Sequence, residues 1–270
     1  MDTIHLLEAR DRERCIDLAL TVGWPREEKK WEIFLTLGRG FGSSDAQGAL
    51  TSMVVVTPFE VGSFVAMMVV RPDTQGTGLG RRLLEHALAD AQQPVMLYAT
   101  PAGRVLYERI GFVVTDSVQK LGGTARATHA SATTRRATAA DVEAITAADR
   151  SAFGSGRGRH IAALYACASR CVVDDLGGFA IAWHNGAVLI VGPLAARDER
   201  AACDLIDAAL EGHTGPARID VPESSSYVAA HVRGLGLVEL GEATPKMTWP
   251  HAANLGDPAR YHAIMLQGLG

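Results

Sequence analysis

The stretch RPDTQGTGLGRRLLEHAL, Arg71 to Leu88, restricts the fold more than any other part of the chain. It follows a β-rich run, GSFVAMMVVRP, and passes at once into leucines at helical spacing, so it reads strand, glycine-rich turn, helix. A strand feeding a helix through so short a turn places the two in adjacent layers, the basic unit of an α/β fold. Gly76, Gly78 and Gly80 stand at alternate positions. One tight turn does not need three glycines, so something must come close to the backbone there. The helix N-terminus behind them offers unpaired N–H groups and a partial positive charge, which suits an anion.

Three kinds of anion loop compete for QGTGLGRR. A P-loop needs Lys and then Ser or Thr after the glycines, and Arg81 and Arg82 stand there instead. A dinucleotide loop needs G-x-G-x-x-G, whereas the glycines here run G-x-G-x-G, and the next strand, VMLYAT, ends without an acidic ribose ligand. The third pattern, Q/R-x-x-G-x-G/A, is met by Gln75, Gly78 and Gly80. It resembles the acetyl-CoA loop of the GCN5-related N-acetyltransferase (GNAT) superfamily. The stretch ATPAGRVLYERIGF, Ala99 to Phe112, is similar to that family's second motif, in order and at the expected distance.

The resemblance implies acetyl-CoA as co-substrate. It implies that the backbone of Gln75, Gly76, Thr77, Gly78, Leu79 and Gly80, with Arg81 beside it, holds the pyrophosphate. Met68, Val69 and Val70 would offer main-chain hydrogen bonds to the pantetheine arm and thioester, and Tyr107 would protonate the departing thiolate. Many family members carry an Asn near the position of Thr100; here the segment reads ATPAG, so that contact is lost or passes to the Thr hydroxyl. The implied reaction is attack of a neutral amine on the thioester, which requires a base. Glu32, Glu60 and Glu108 could each be proposed, yet each reads more naturally as a solvated charge, and the base stays unassigned.

The order of elements repeats along the chain. An acidic helical stretch, a β-rich hairpin, an amphipathic helix, a strand and a short helix ending in Gly occur before residue 121 and again after residue 135. Between them GGTARATHASATTRR is poor in large apolar residues. The expected organisation is a catalytic unit at 1–121, a linker at 122–134 and a second unit at 135–270. In the second unit the glycine loop is replaced by GPLAARDERAACDLI, where Asp198 and Glu199 would repel phosphates. The whole resembles tandem GNAT proteins: an α/β fold of two GNAT-like domains, each a mixed twisted sheet flanked by helices. The second, degenerate copy would wall the substrate cleft. Trp24 and Trp31 would lie in the helical region over the acceptor site. Asp174, Asp175, Asp220 and Glu223, at ends of predicted strands, are candidates to hold a cationic amine.

The formal net charge of −4 over 270 residues argues against nucleic acid and weakly favours a cationic small-molecule amine. Aminoglycosides fit that description, and some kasugamycin-type acetyltransferases are similar tandem proteins, which would make the chain an antibiotic-resistance enzyme. Rival readings are a protein or peptide N-acetyltransferase and a non-catalytic acetyl-CoA-binding regulator. Cys15, Cys167, Cys171 and Cys203 lack the spacing of a disulfide framework or a metal site; Cys167 and Cys171 read as one helical stretch. With no signal peptide and no apolar run of about 18 residues, a cytoplasmic protein without membrane contact is expected. Oligomeric state leaves no mark in the sequence.

Overall fold

The computed structural model describes residues 3–250 and 255–270. The first half runs β1 (His5–Leu7), α1 (Arg12–Leu20), α2 (Glu28–Leu37), β2 (Arg39–Ser44), β3 (Leu50–Pro58), β4 (Ser63–Val70), α3 (Leu79–Asp90), β5 (Val95–Tyr98), α4 (Pro101–Ile110) and β6 (Val113–Thr124). The second repeats that order as β7 (Thr134–Arg136), α5 (Val142–Phe153), α6 (Gly158–Cys167), β8 (Ala168–Asp174), β9 (Phe179–Asn185), β10 (Val188–Ala195), α7 (Glu199–Leu210), β11 (Pro216–Pro222) and α8 (Ser226–Gly234). It closes with β12 (Val238–Glu239), β13 (Thr244–Trp249) and β14 (Tyr261–Ala263).

The strands read as near-continuous apolar runs because both faces of the sheet are covered. In β3, Met53 and Val55 point to the face covered by α1 and α2, while Val54 and Val56 point to the face under α3 and α4. In β9, Phe179, Ile181 and Trp183 join the first of these cores, and Ala180 and Ala182 pack under α7. The core under α1, α2, α5 and α6 therefore runs unbroken across both halves.

One mixed sheet carries both halves, in the order β1-β2-β3-β4-β5-β13-β6-β11-β10-β9-β8-β7. The halves exchange a strand each. β13, from the second half, pairs antiparallel with β5, as at Met247↔Leu97. β6, from the first, pairs antiparallel with β11, as at Lys120↔Asp220. The division at 1–121 and 135–270 is thus a division of the sequence, while each half's sheet is completed by the other. Residues 122–124 of the expected linker are the end of β6.

Cys167 and Cys171 do not share a helix: α6 ends at Cys167 and Cys171 lies in β8. All four thiols are free, and burial pushes those of Cys15, Cys171 and Cys203 up to about 12. No helix among the described residues is long and apolar enough to cross a membrane.

Candidate functional site

β4 and β5 pair in parallel only at Ser63↔Val95 and Phe64↔Met96. Beyond Phe64 they part, and the gap between them opens the sheet. Against β3, three steps of β4 from Ala66 to Val69 oppose two from Val55 to Met53, so β4 carries one extra residue. Met67 takes it up at φ 54°, a left-handed conformation that a bulky side chain adopts only when its surroundings enforce it. Such a bulge re-aims the backbone beside it, here at the mouth of the gap.

The glycine turn follows β4 directly. Gly76 and Gly78 have φ of 77° and 80°, open to glycine without a steric penalty, and Gly78 caps α3. The side chain of Gln75 donates to the Val70 carbonyl at 3.0 Å, tying the turn to the end of β4. The first helical hydrogen bond is Arg82 N–H to the Gly78 carbonyl. The N–H groups from Gly76 to Arg81 therefore find no acceptor among the described residues. A run of unpaired amides at a helix N-terminus can hold a diphosphate. Leu79 contributes only backbone, because its side chain is buried in the core with Leu83 and Leu84.

α4 starts at the opposite lip of the gap. Thr100 caps it, its hydroxyl accepting from Gly103 N–H at 3.2 Å. Pro101 occupies the first turn, and Gly111 ends the helix at φ 105°. Tyr107 faces inward and is 6 % exposed. Its hydroxyl has no hydrogen-bonding partner among the described residues. Burial pushes its pKa up to about 12, so the phenol keeps its proton at neutral pH.

Two cavities meet at these residues. One, of about 780 Å³, runs past Met68, Val69, Val70 and the turn residues Gln75, Gly76, Gly78, Gly80 and Arg81 to Leu106 on α4; neither Thr77 nor Leu79 is on its wall. The other, of about 320 Å³, lies on the face covered by α1 and α2. Trp24, Met68, Thr100 and Tyr107 belong to both walls. The smaller cavity is also walled by Glu27 and Lys30 near α2, Lys120 on β6, Arg218 on β11, and Leu266, Gln267 and Gly268 after β14. A Cβ on Gly268 would overlap the Phe34 ring and stand 2.9 Å from Ala66, so this segment is seated closely on the first half.

Trp24 therefore reaches the site, with Lys30 Nζ 6.0 Å from its ring centroid, whereas Trp31 is core. The acidic candidates land elsewhere. Asp175 is exposed in the turn after β8, and Glu223 is exposed after β11. Asp220 is buried, but both its oxygens are taken by Arg218, Nε at 2.7 Å and Nη2 at 2.5 Å. Glu32, Glu60 and Glu108 are paired at the surface with Lys29, Arg150 and Arg104. The carboxylate that does reach the smaller cavity is Glu27, held by Lys30 at 2.7 Å and by Asn185 of β9 at 2.7 Å. The sequence reading missed Glu27, Lys120 and Arg218. No local pattern marks them, since they converge only when β6, β11 and α2 pack.

In the second half the gap between the corresponding strands is closed, while a cavity of about 640 Å³ remains beside Asp198, Glu199 and Tyr227. β14 pairs with β10 where that strand parts from β11, and Ile264 N–H donates to the Asp220 carbonyl, closing the gap. Asp198 caps α7 through Ala201 N–H at 2.9 Å. Glu199 Oε2 accepts from the Tyr227 and Val228 N–H groups at the start of α8, at 2.6 and 2.9 Å. Carboxylates of the chain itself thus sit where phosphate oxygens would have to bind.

Acetyltransferase (GNAT) domain families match residues 45–126 and 145–253. An uncharacterized N-acetyltransferase of Bacillus subtilis (strain 168), YitH, is 28 % identical over 263 residues, covering 92 % of this chain and 91 % of that protein. A Pyrococcus horikoshii protein described as an acetyltransferase superposes with a TM-score of 0.84 at 18 % identity, over 99 % of this chain and 95 % of its own. A tandem GNAT protein from the clavulanic acid biosynthesis pathway gives 0.65 at 13 % identity, over 94 % and 99 %. At these identities the two structures speak for the fold alone. With a GNAT domain matched in each half and the tandem arrangement shared along nearly its whole length, the chain belongs to the GNAT superfamily of N-acetyltransferases, as two GNAT domains in tandem.

Proposed function

We propose that the first half transfers an acetyl group from acetyl-CoA to an amine of a small molecule held between the two halves. The observation that carries this reading is the meeting of the two cavities at Tyr107, one lined by unpaired amides and the other by polar side chains from both halves. In this reading the amides from Gly76 to Arg81 bind the pyrophosphate, and the bulged stretch Met67–Val70 aligns the thioester. The neutral amine attacks the thioester carbon, the carbon–sulfur bond breaks, and the thiolate takes the phenolic proton of Tyr107. The proton shed by the amine passes to solvent and Tyr107 recovers one from solvent, so the step balances without a dedicated carboxylate base.

A volume of about 320 Å³ suits a small molecule rather than a length of peptide. The test is release of free CoA thiol from acetyl-CoA across amino acids, polyamines, aminoglycosides including kasugamycin, and lysine peptides. Release with a small amine supports the reading. Release with peptides alone would replace it with protein acetylation, and tight acetyl-CoA binding without release would replace it with a regulator.

A further inference from the structure

We propose that the acceptor is an amine that also carries an acid group, a carboxylate or phosphate, bound by Lys120 and Arg218. The inference rests on the transfer reading above and narrows its substrate.

The β6–β11 register sets up the pair of cations. Asp220 lies directly across from Lys120, and Arg218 two residues along β11, so all three side chains stand on one face of the sheet. Arg218 engages both oxygens of Asp220, and Asp220 makes no hydrogen bond or ion pair to Lys120. That leaves Lys120 Nζ with no hydrogen bond or ion pair among the described residues. The two bonds to Asp220 also fix the guanidinium plane, and Nη1, the third nitrogen of Arg218, has no partner among the described residues. Both cations line the smaller cavity.

Asp220 offsets Arg218 and Glu27 offsets Lys30, which leaves Lys120 as the cation of that wall without a paired carboxylate among the described residues. Glu27 is committed to Lys30 and Asn185. Burial, and after it the neighbouring Arg218 guanidinium, push the Lys120 ammonium below its ordinary value, and the carboxylates of Asp220 and Glu27 oppose this only in part. An anionic oxygen placed between Lys120 and Arg218 supplies counter-charge through charge-assisted hydrogen bonds. A polycation would meet the opposite balance. The overall charge of −4 does not predict this wall, because a cavity responds to the charges that line it.

The experiment separates this proposal from the transfer reading by measuring binding without chemistry. Calorimetry on the protein saturated with CoA compares matched amines: lysine with cadaverine, tyrosine with tyramine, O-phosphoethanolamine with ethanolamine. The acid-bearing member of at least one pair is expected to bind about ten-fold more tightly, the scale of a charged hydrogen bond. Lys120→Gln should bring that ratio towards one, and Lys120→Arg should keep it. Tighter binding of the decarboxylated or dephosphorylated members, or equal or absent binding of the acid-bearing ones, overturns the proposal. A ratio that survives Lys120→Gln in a folded protein overturns it as well. Acid-selective binding with no thiol release from acetyl-CoA would instead leave the acid site standing and sink the transfer reading.

Discussion

A Cβ on Gly103 would stand 2.8 Å from Cε2 of Tyr107 and 3.3 Å from its hydroxyl oxygen, so the phenol occupies space that only a glycine one helical turn earlier leaves free. Two conditions meet in that contact. The helix is capped at Thr100 through Gly103 N–H, and the ring is laid back along the same turn towards the junction of the cavities.

Tyr107→Phe should lower kcat roughly 10²-fold, the scale for loss of a general acid, while leaving acetyl-CoA affinity nearly unchanged. Gly103→Ala should lower kcat about ten-fold by displacing an intact phenol, and the double variant should fall no further than Tyr107→Phe. Steady-state kinetics with a reactive amine, beside calorimetric acetyl-CoA binding, checks this. Additive losses would mean that Gly103 acts on something other than Tyr107.

Gly78→Ala places a Cβ at φ 80°, which costs about 1–2 kcal/mol in the left-handed region. The turn then relaxes away from the geometry that leaves its amides open. The expected result is an acetyl-CoA Kd about ten-fold higher with Tm lowered by only a few degrees, read by calorimetry and thermal unfolding. Unchanged affinity would remove the turn from the binding site.

Arg157 is buried and makes two 2.8 Å bonds to Asp149, others to the Leu269 and Gly270 carbonyls at 2.8 and 2.7 Å, and one to the Tyr261 hydroxyl at 2.7 Å. Its guanidinium also lies 3.8 Å from the Phe153 ring centroid. Arg157→Met strands the Asp149 carboxylate in the core and should destabilise the fold by roughly 3–5 kcal/mol in urea unfolding. It also releases the segment whose Leu266–Gly268 wall the smaller cavity, so KM for the amine should rise more than Kd for acetyl-CoA. An unchanged unfolding midpoint would count against this buried clamp.

His160 is 4 % exposed, lies edge-on to Phe59 with centroids 5.2 Å apart, and bonds through neither ring nitrogen to a described residue. Burial, with the Arg157 charge nearby, pushes its pKa down to about 4, against about 6.5 in the unfolded chain. The folded state thus binds its proton less readily than the unfolded state. The stability this confers is complete above pH 6.5 and is lost as pH falls towards 4, by about 3 kcal/mol. Urea unfolding at pH 7, 5.5 and 4 should show His160→Leu losing less stability on acidification than the parent chain. Parallel losses would place the acid sensitivity elsewhere.

The first half of the site was legible because its determinants are local. The β-rich runs of β3 and β4, the glycine turn from Gly76 to Gly80 and the short helix that ends at Gly111 depend on neighbours in sequence. The same holds for the repeat of elements and for Asp198 and Glu199 in the degenerate turn.

The acceptor side was decided by tertiary structure. Asp220 reads as a free carboxylate until the chain is folded, when Arg218 claims both its oxygens and leaves Lys120 facing the cavity. Glu27 reaches the wall because Lys30 and Asn185, the latter 158 residues away, hold it there. The exchange of β6 and β13 between the halves was equally hidden, since an antiparallel strand carries the same alternation whichever edge it joins. Local rules fix which residues become strand, turn or helix. Which charges meet is set by strand order and register, which depend on contacts between residues far apart in the chain.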